Sequence, residues 1–94
     1  TMVVAANDLV AVGAINTLQQ AGVNVPEQVS VVGFDNIPWG ALITPKLTTI
    51  DHSASALATE AMAILVAKIA GTTTLNKTSV IDVSLVERGS ARAL

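Results

Sequence analysis

Two polar residues stand where apolar runs stop. The run MVVAAN ends on Asn7, and VSVVGFD ends on Asp35. Runs that are apolar on both faces belong to parallel sheets covered on both sides. Sheets of that kind bind ligands outside the carboxyl ends of their strands. If the two strands are parallel neighbours or near neighbours, the Asn7 and Asp35 side chains open onto one crevice. An amide supplies donors and an acceptor, and an ionised carboxylate accepts several hydrogen bonds. Together they suit a ligand dense in hydroxyl or N–H groups. Each also has a plainer reading. Asn7 reads as a helix cap or turn former, with Asp8 as the cap itself, and Asp35-Asn36 reads as a turn pair.

The remaining polar landmarks do not assemble a catalytic site. His52 lies between Asp51 and Ser53, but adjacent residues do not converge on one point as a triad must. It reads as a solvated loop histidine ahead of a helix. Trp39, between Pro38 and Gly40, could stack on a sugar or anchor a protein interface, where tryptophan is enriched. Phe34 points opposite to Asp35 along its strand and reads as core. The six glycines are dispersed and form neither GxGxxG nor GxxxxGK[ST], so no dinucleotide or phosphate loop is expected. No nucleophile is paired with a base. No catalytic residue, metal ligand or cofactor is expected.

The elements that must position Asn7 and Asp35 follow from the pattern. A short strand over residues 3–6 leads into a helix over residues 9–20, with Gly22 just past its end. Pro26 fixes a loop, and a second strand runs over residues 29–34. Strand, helix and strand in about 30 residues make a βαβ unit with a right-handed crossover. A turn with one helical turn is expected after Pro38, then a strand over residues 47–50. Ser53 is placed to cap a long helix over residues 54–70, closed by Gly71. TTTLNKT reads as a polar loop. SVIDVSLVER alternates Val80, Asp82 and Ser84 against Ile81, Val83 and Leu85, the pattern of a strand with one wetter face. GSARAL reads as a tail.

Composition limits the function. The 94 residues are 51% hydrophobic and 13% charged, which places the chain among globular domains and excludes disorder. Lys46, Lys68, Lys77, Arg88 and Arg92 are scattered in a chain of net charge -2, so this segment is not expected to grip a phosphate backbone. There is no cysteine, hence no disulfide framework or thiolate metal site. The longest strictly apolar run, residues 61–67, falls far short of the ~20 residues of a membrane helix. No signal peptide is visible. Thr1-Met2 leads directly into a strand-like run, which gives the expectation of a start within a longer protein.

Counting faces leads the same way. Both strands of the βαβ unit need cover on two sides, and only one helix crosses between them. The chain is therefore expected to oligomerise or to be a piece of something larger. At 100° per residue, Val10, Ala14, Leu18 and Ala21 share the helix face suited to the sheet. Val12 and Ile15 point the other way, beside Asn16 and Gln19. There a partner surface and isolated exposed apolar residues weigh about evenly.

The segments AANDLVAVGAINTLQQAGVNVPEQVSVVGFDN, PKLTTID and SLVERGS, in this order, closely resemble the C-terminal part of the effector-binding domain of LacI/GalR bacterial transcription regulators. The landmarks are A-N-D with A-x-G-A downstream, V-P-x-x-V-S-V-V-G-F-D, P-x-L-T-T-I and L-V-x-R-x-S. They span nearly the whole chain. The resemblance implies an α/β, parallel-sheet, periplasmic-binding-protein-like type I fold of which only the C-terminal third is present. Residues 1–47 would form the βαβ portion of the C-terminal lobe. Residues 48–94 would supply the hinge crossover and the helix and strand that complete the N-terminal lobe. The positions of Asn7 and Asp35 would contact the effector, a sugar or related metabolite. A homodimer surface would use Val12, Ile15, Trp39, Leu42 and Ile43, which favours the interface reading of Trp39. DNA would be reached only through a headpiece absent from this chain, and the protein would be cytoplasmic, with no membrane partner. Many members carry a second acid after the G-F-D aspartate, where this chain has Asn36. The alternatives are the C-terminal part of a periplasmic sugar-binding protein of a transporter, and an α/β enzyme using Asp35, for which no catalytic partner is found.

Overall fold

A computed structural model describes residues 1–72 and 78–93. The β-branched runs form strands β1 (Met2–Val4) and β2 (Ser30–Phe34), joined by helix α1 (Asp8–Gln20). A 3-10 turn follows at Pro38–Ala41, then strand β3 (Thr48–Asp51), helix α2 (Ala54–Ile69) and strand β4 (Ser84–Val86). The described strands make one sheet in the order β1-β2-β3-β4. The first three run parallel, with Val3 opposite Val31 and Val32 opposite Thr48. β4 lies antiparallel to β3, with Leu85 opposite Ile50. All three parallel strands thus end at the same edge, which brings Asn7, Asp35 and Asp51 to one side of the molecule.

Helix α1 closes as its sequence suggests. Gly22 has φ +75°, a conformation glycine adopts without a Cβ penalty. Its N–H donates to the Gln19 carbonyl at 3.0 Å, and Val23 N–H donates to the Leu18 carbonyl at 2.9 Å. These two bonds are a Schellman closure.

The rotation of α1 differs from the apolar pattern. Asp8, Ala11 and Ile15 are its buried residues, and Val12 and Leu18 pack against the core. Val10, expected on the sheet face, is exposed. Ile15, expected to point outward, is 2% exposed and sits in the core with Ala5, Ala11, Val25, Val31 and Leu47. Alanine, valine and leucine surround this helix on every side, so hydrophobicity barely specifies its rotation. The hydrogen bonds of Asp8 turn its own face to the sheet (described below).

The opposite sheet face is covered only in part: Ser30 and Thr48 are buried, while Met2, Val4 and Phe34 are exposed. No α2 residue is buried. Phe34, read as core, is 38% exposed. Ser53 precedes α2 with φ +51° and makes no side-chain capping bond, contrary to the expected cap. Its N–H instead donates to Asp51 Oδ1 at 2.7 Å. Of the alternating stretch around Val80 to Leu85, only the end pairs, as Ser84–Val86, and Val80 is 84% exposed. Among the described residues β3 pairs with β4 at three positions, Thr49 to Asp51, and the alternation before Ser84 finds no partner strand there. The expected polar loop TTTLNKT lies mostly outside the described residues.

The closing residues do not trail as a tail. Ser90 is fully buried. Its Oγ donates to the Val31 carbonyl at 2.6 Å and accepts from Thr48 N–H at 2.8 Å. Val31 N–H donates to the Ser90 carbonyl at 2.7 Å, and the N–H groups of Gly89 and Ser90 both donate to the Lys46 carbonyl. Arg92 Nη2 donates to the Glu27 carbonyl at 2.8 Å. The segment after β4 is thus knitted to the start of β2 and β3, alongside residues 1–47, and not to α2. Among the described residues, no helix is long and apolar enough to cross a membrane.

Candidate functional site

Asn7 leaves β1 with extended backbone, φ -155° and ψ 171°, and its Oδ1 accepts from Val10 N–H at 2.9 Å. Asn7, and not Asp8, is therefore the N-cap. The cap uses the side-chain oxygen and leaves the amide nitrogen as the group it can offer elsewhere.

Asp8 does something the sequence reading missed. It is 0% exposed. Its Oδ1 accepts from Thr49 Oγ1 at 2.5 Å, and its Oδ2 accepts from Ile37 N–H at 2.8 Å. One carboxylate thereby ties α1 to β3 and to the turn after β2. Gly33 makes room for it: a Cβ there would collide with Asp8 Oδ1 and meet Leu47 Cδ2 at 3.0 Å. A glycine inside a run of β-branched residues was the available signal, because strand glycines mark close approach of another group.

Asp35 follows β2 with φ +123°, and Asn36 has φ +55°. Asparagine tolerates the left-handed region. Aspartate at +123° is more unusual and costs about 1–3 kcal/mol. The Asp35 N–H donates to the Ile50 carbonyl at 2.9 Å, which holds the backbone against β3. The carboxylate is partly exposed, with Oδ1 3.2 Å from His52 Nε2. His52 is not a solvated loop residue. Its ring stacks on Phe34 at 5.5 Å between centroids and 11° between planes, and Nδ1 is buried with no hydrogen-bond partner among the described residues.

Asn36 anchors a second set of links. Its Nδ2 donates to Asp51 Oδ2 at 3.1 Å, and its Oδ1 accepts from Arg88 Nη2 at 2.9 Å. Arg88 Nη1 also donates to the Leu47 carbonyl at 2.9 Å, and its N–H donates to Thr48 Oγ1 at 2.9 Å. An amide at position 36 can accept from Arg88 and donate to Asp51 at once, which a carboxylate cannot do. The departure from a second acid therefore has a structural use here. Neither Asn36 nor Arg88 was singled out from sequence as a member of the site.

The Asp51 carboxyl is held below its usual range. The main cause is the Ser53 N–H, then the Asn36 amide; desolvation opposes them, and His52 adds a small further lowering. A depressed carboxyl contributes stability that is complete above its unfolded value, near 3.8, and is lost as pH falls through the lower folded value. Acidification below pH ~4 is therefore expected to loosen the link from β3 to α2. Amide exchange at Ser53, compared between wild type and Asp51→Asn across pH 2.5 to 6, checks this. A pH dependence unchanged in Asp51→Asn would remove Asp51 as its source.

Trp39, 63% exposed, and Leu42, 79% exposed, stand out from the turn after β2. Trp39 shares a shallow concavity of about 260 Å³ with Leu9, Asp35, Ile37 and Pro38. Ile43 lies partly buried against the core, beside Val12, Ile15, Asn16 and Gln19 in a second concavity of about 290 Å³. Of the five residues expected on an outer surface, Trp39 and Leu42 are exposed, Val12 and Ile43 are partly so, and Ile15 is withdrawn into the core.

A parallel α/β sheet with acceptor and amide groups at its carboxyl edge defines the class: residues 1–91 match the family model of a periplasmic binding protein-like domain. The regulator MalR of Streptomyces coelicolor is 42% identical over 90 residues, covering 96% of this chain and 26% of MalR. A LacI-type transcription regulator from Bifidobacterium animalis superposes with TM-score 0.91 at 38% identity, over 98% of this chain and 33% of that one. The CelR–cellobiose complex superposes at 0.91 with 32% identity, over 96% and 28%. The lac repressor dimer bound to operator and an anti-inducer superposes at 0.88 with 30% identity, over 99% and 32%. The chain belongs to the LacI/GalR family of transcription regulators, as a part of the effector-binding domain. It spans about a quarter to a third of the length of the relatives it matches.

Proposed function

We propose that this chain senses a small metabolite of the sugar class, with Asp35 as its principal polar contact and Asn7 beside it. The observation that carries this reading is the backbone of Asp35. Glycine would adopt φ +123° without strain, so an aspartate there is accounted for by what its carboxylate does. Strained non-glycine backbone clusters at ligand sites. The carboxylate stands at the carboxyl edge of a parallel sheet, where such sheets bind ligands, and CelR, of the same fold, was solved with cellobiose. The expected role is binding rather than turnover. A transporter's sugar carrier is less consistent with relatives that are regulators.

In this reading the regulator has two lobes. Residues 1–47 belong to the first, and the chain leaves it through β3 to carry α2 toward the second. The segment 88–92 returns to the first lobe. The effector acts through different affinities for different lobe arrangements. A dimer surface formed by Trp39, Leu42, Val12 and Ile43, with Leu9 added, transmits the change to DNA-binding headpieces outside this chain, in the cytoplasm. Ile15 supports that surface from beneath.

Asp35→Ala in the intact regulator is expected to weaken sugar binding at least about tenfold, or 1.4 kcal/mol. Asp35→Gly should lose as much affinity while holding or raising the unfolding midpoint, because the backbone strain is relieved. Calorimetry with cellobiose and ribose, beside urea denaturation, measures both. Unchanged affinity in Asp35→Ala would take Asp35 out of the site.

A further inference from the structure

His52 is the only histidine of the chain, and two of its contacts converge. Its Nε2 meets Asp35 Oδ1 at 3.2 Å. Its ring lies almost parallel to Phe34, the residue before Asp35. Among the described residues its Nδ1 is buried without a hydrogen-bond partner, and the ring's polar contact is with Asp35. An orphaned buried nitrogen carries a cost, and the stack and the carboxylate contact are what offset it.

The position in the chain gives these contacts a consequence. His52 lies between Asp51, the last residue of β3, and Ser53, whose φ of +51° starts the path into α2. Asp51 holds the same stretch through Ser53 N–H and Asn36 Nδ2. The β2 turn is thus joined to the exit toward α2 by two adjacent links, Asp35 to His52 and Asn36 to Asp51. The first uses the Asp35 carboxylate, whose side chain is 39% exposed to solvent.

We propose that His52 is a positioning residue that holds the Asp35 carboxylate by its Oδ1, leaves Oδ2 to a ligand, and ties that carboxylate to the crossover into α2. This rests on Asp35 being an effector contact. A ligand that draws Asp35 toward itself changes the His52 link, and the crossover responds. By thermodynamic reciprocity, a change in the crossover alters affinity at Asp35 by the same factor.

The link is testable without a ligand, in the intact regulator, by hydrogen exchange at the amides of residues 52–57. His52→Phe keeps a ring to stack on Phe34 and removes the donor. His52→Gln keeps a side-chain N–H donor and removes the ring. His52→Phe and Asp35→Ala are each expected to speed exchange there about two- to fivefold, the range for a weak, partly exposed polar contact. The double variant should do no more than either alone, and His52→Gln should lie nearer wild type than His52→Phe. Effects that multiply in the double variant, or a His52→Phe that exchanges like wild type, overturn the proposal. That result would leave the Asp35 calorimetry standing, and a failed calorimetry would leave the exchange result standing, so the two readings fail separately.

Discussion

Asp8→Ala is expected to cost about 3 kcal/mol of folding stability, because it strands one buried and one part-buried donor at about 1–3 kcal/mol each. Thr49 Oγ1 and Ile37 N–H both donate to this carboxylate, which is 0% exposed. Domains of ordinary stability have about 5–15 kcal/mol in total, so the loss is a large share for a chain with a core of six buried apolar residues. Asp8→Asn keeps one acceptor and should lose less. Gly33→Ala should be comparably damaging, since its Cβ would occupy the place of Asp8 Oδ1. The two effects are expected to be non-additive: in an Asp8→Ala background the collision partner is gone, and the added methyl meets chiefly Leu47. Urea denaturation of the two single variants and the double variant measures the coupling. Independent, additive losses would mean that the glycine and the carboxylate do not share one space.

Asp8 also explains what could be read from the sequence and what could not. The strands at VSVVGF and LTTI and the closure of α1 at Gly22 are local properties: β-branched runs, and a glycine after a helical stretch. They came through within one or two residues. The rotation of α1 is not local. The apolar residues around it allow several faces, and the choice is made by a polar residue whose partners, Thr49 and Ile37, lie 41 and 29 positions away. The assignment of the cap to Asp8 instead of Asn7 failed for the same reason, since either residue type caps well and only the distant donors separate them.

The closing segment repeats the lesson. GSARAL is polar and small enough to read as a tail, yet Ser90 is buried by bonds to Val31 and Thr48, 59 and 42 residues away. His52 was passed over because its neighbours in sequence do not form a catalytic group, whereas its neighbours in space are Phe34 and Asp35. Apolar periodicity found the sheet. It was silent about the side-chain hydrogen bonds that join the ends of its strands, and the candidate site is built largely from these.

A folded form of this chain on its own is expected to be at least a dimer at micromolar concentration. Helix α2 has no buried residue, although Leu57, Met62, Leu65, Val66 and Ile69 are among its side chains and all are exposed. Met2 and Val4 are bare on the sheet, and Trp39 and Leu42 stand out from the turn after β2. Monomers seldom expose contiguous apolar patches beyond a few hundred Å². The extended shape has a radius of gyration of 17.6 Å, against about 13 Å for a compact chain of ~100 residues. Two routes supply cover. The helix can fold back on its own sheet and give a compact monomer, or it can be exchanged with a second chain, which is a low-cost route to a dimer. The short path from β3 through Ser53 favours exchange, because Asp51 and His52 already fix the direction in which α2 departs. Light scattering gives the mass, and small-angle scattering gives the radius. A cooperative monomer with a radius near 13 Å would show that the chain closes its own core, and exchange of α2 would then be excluded.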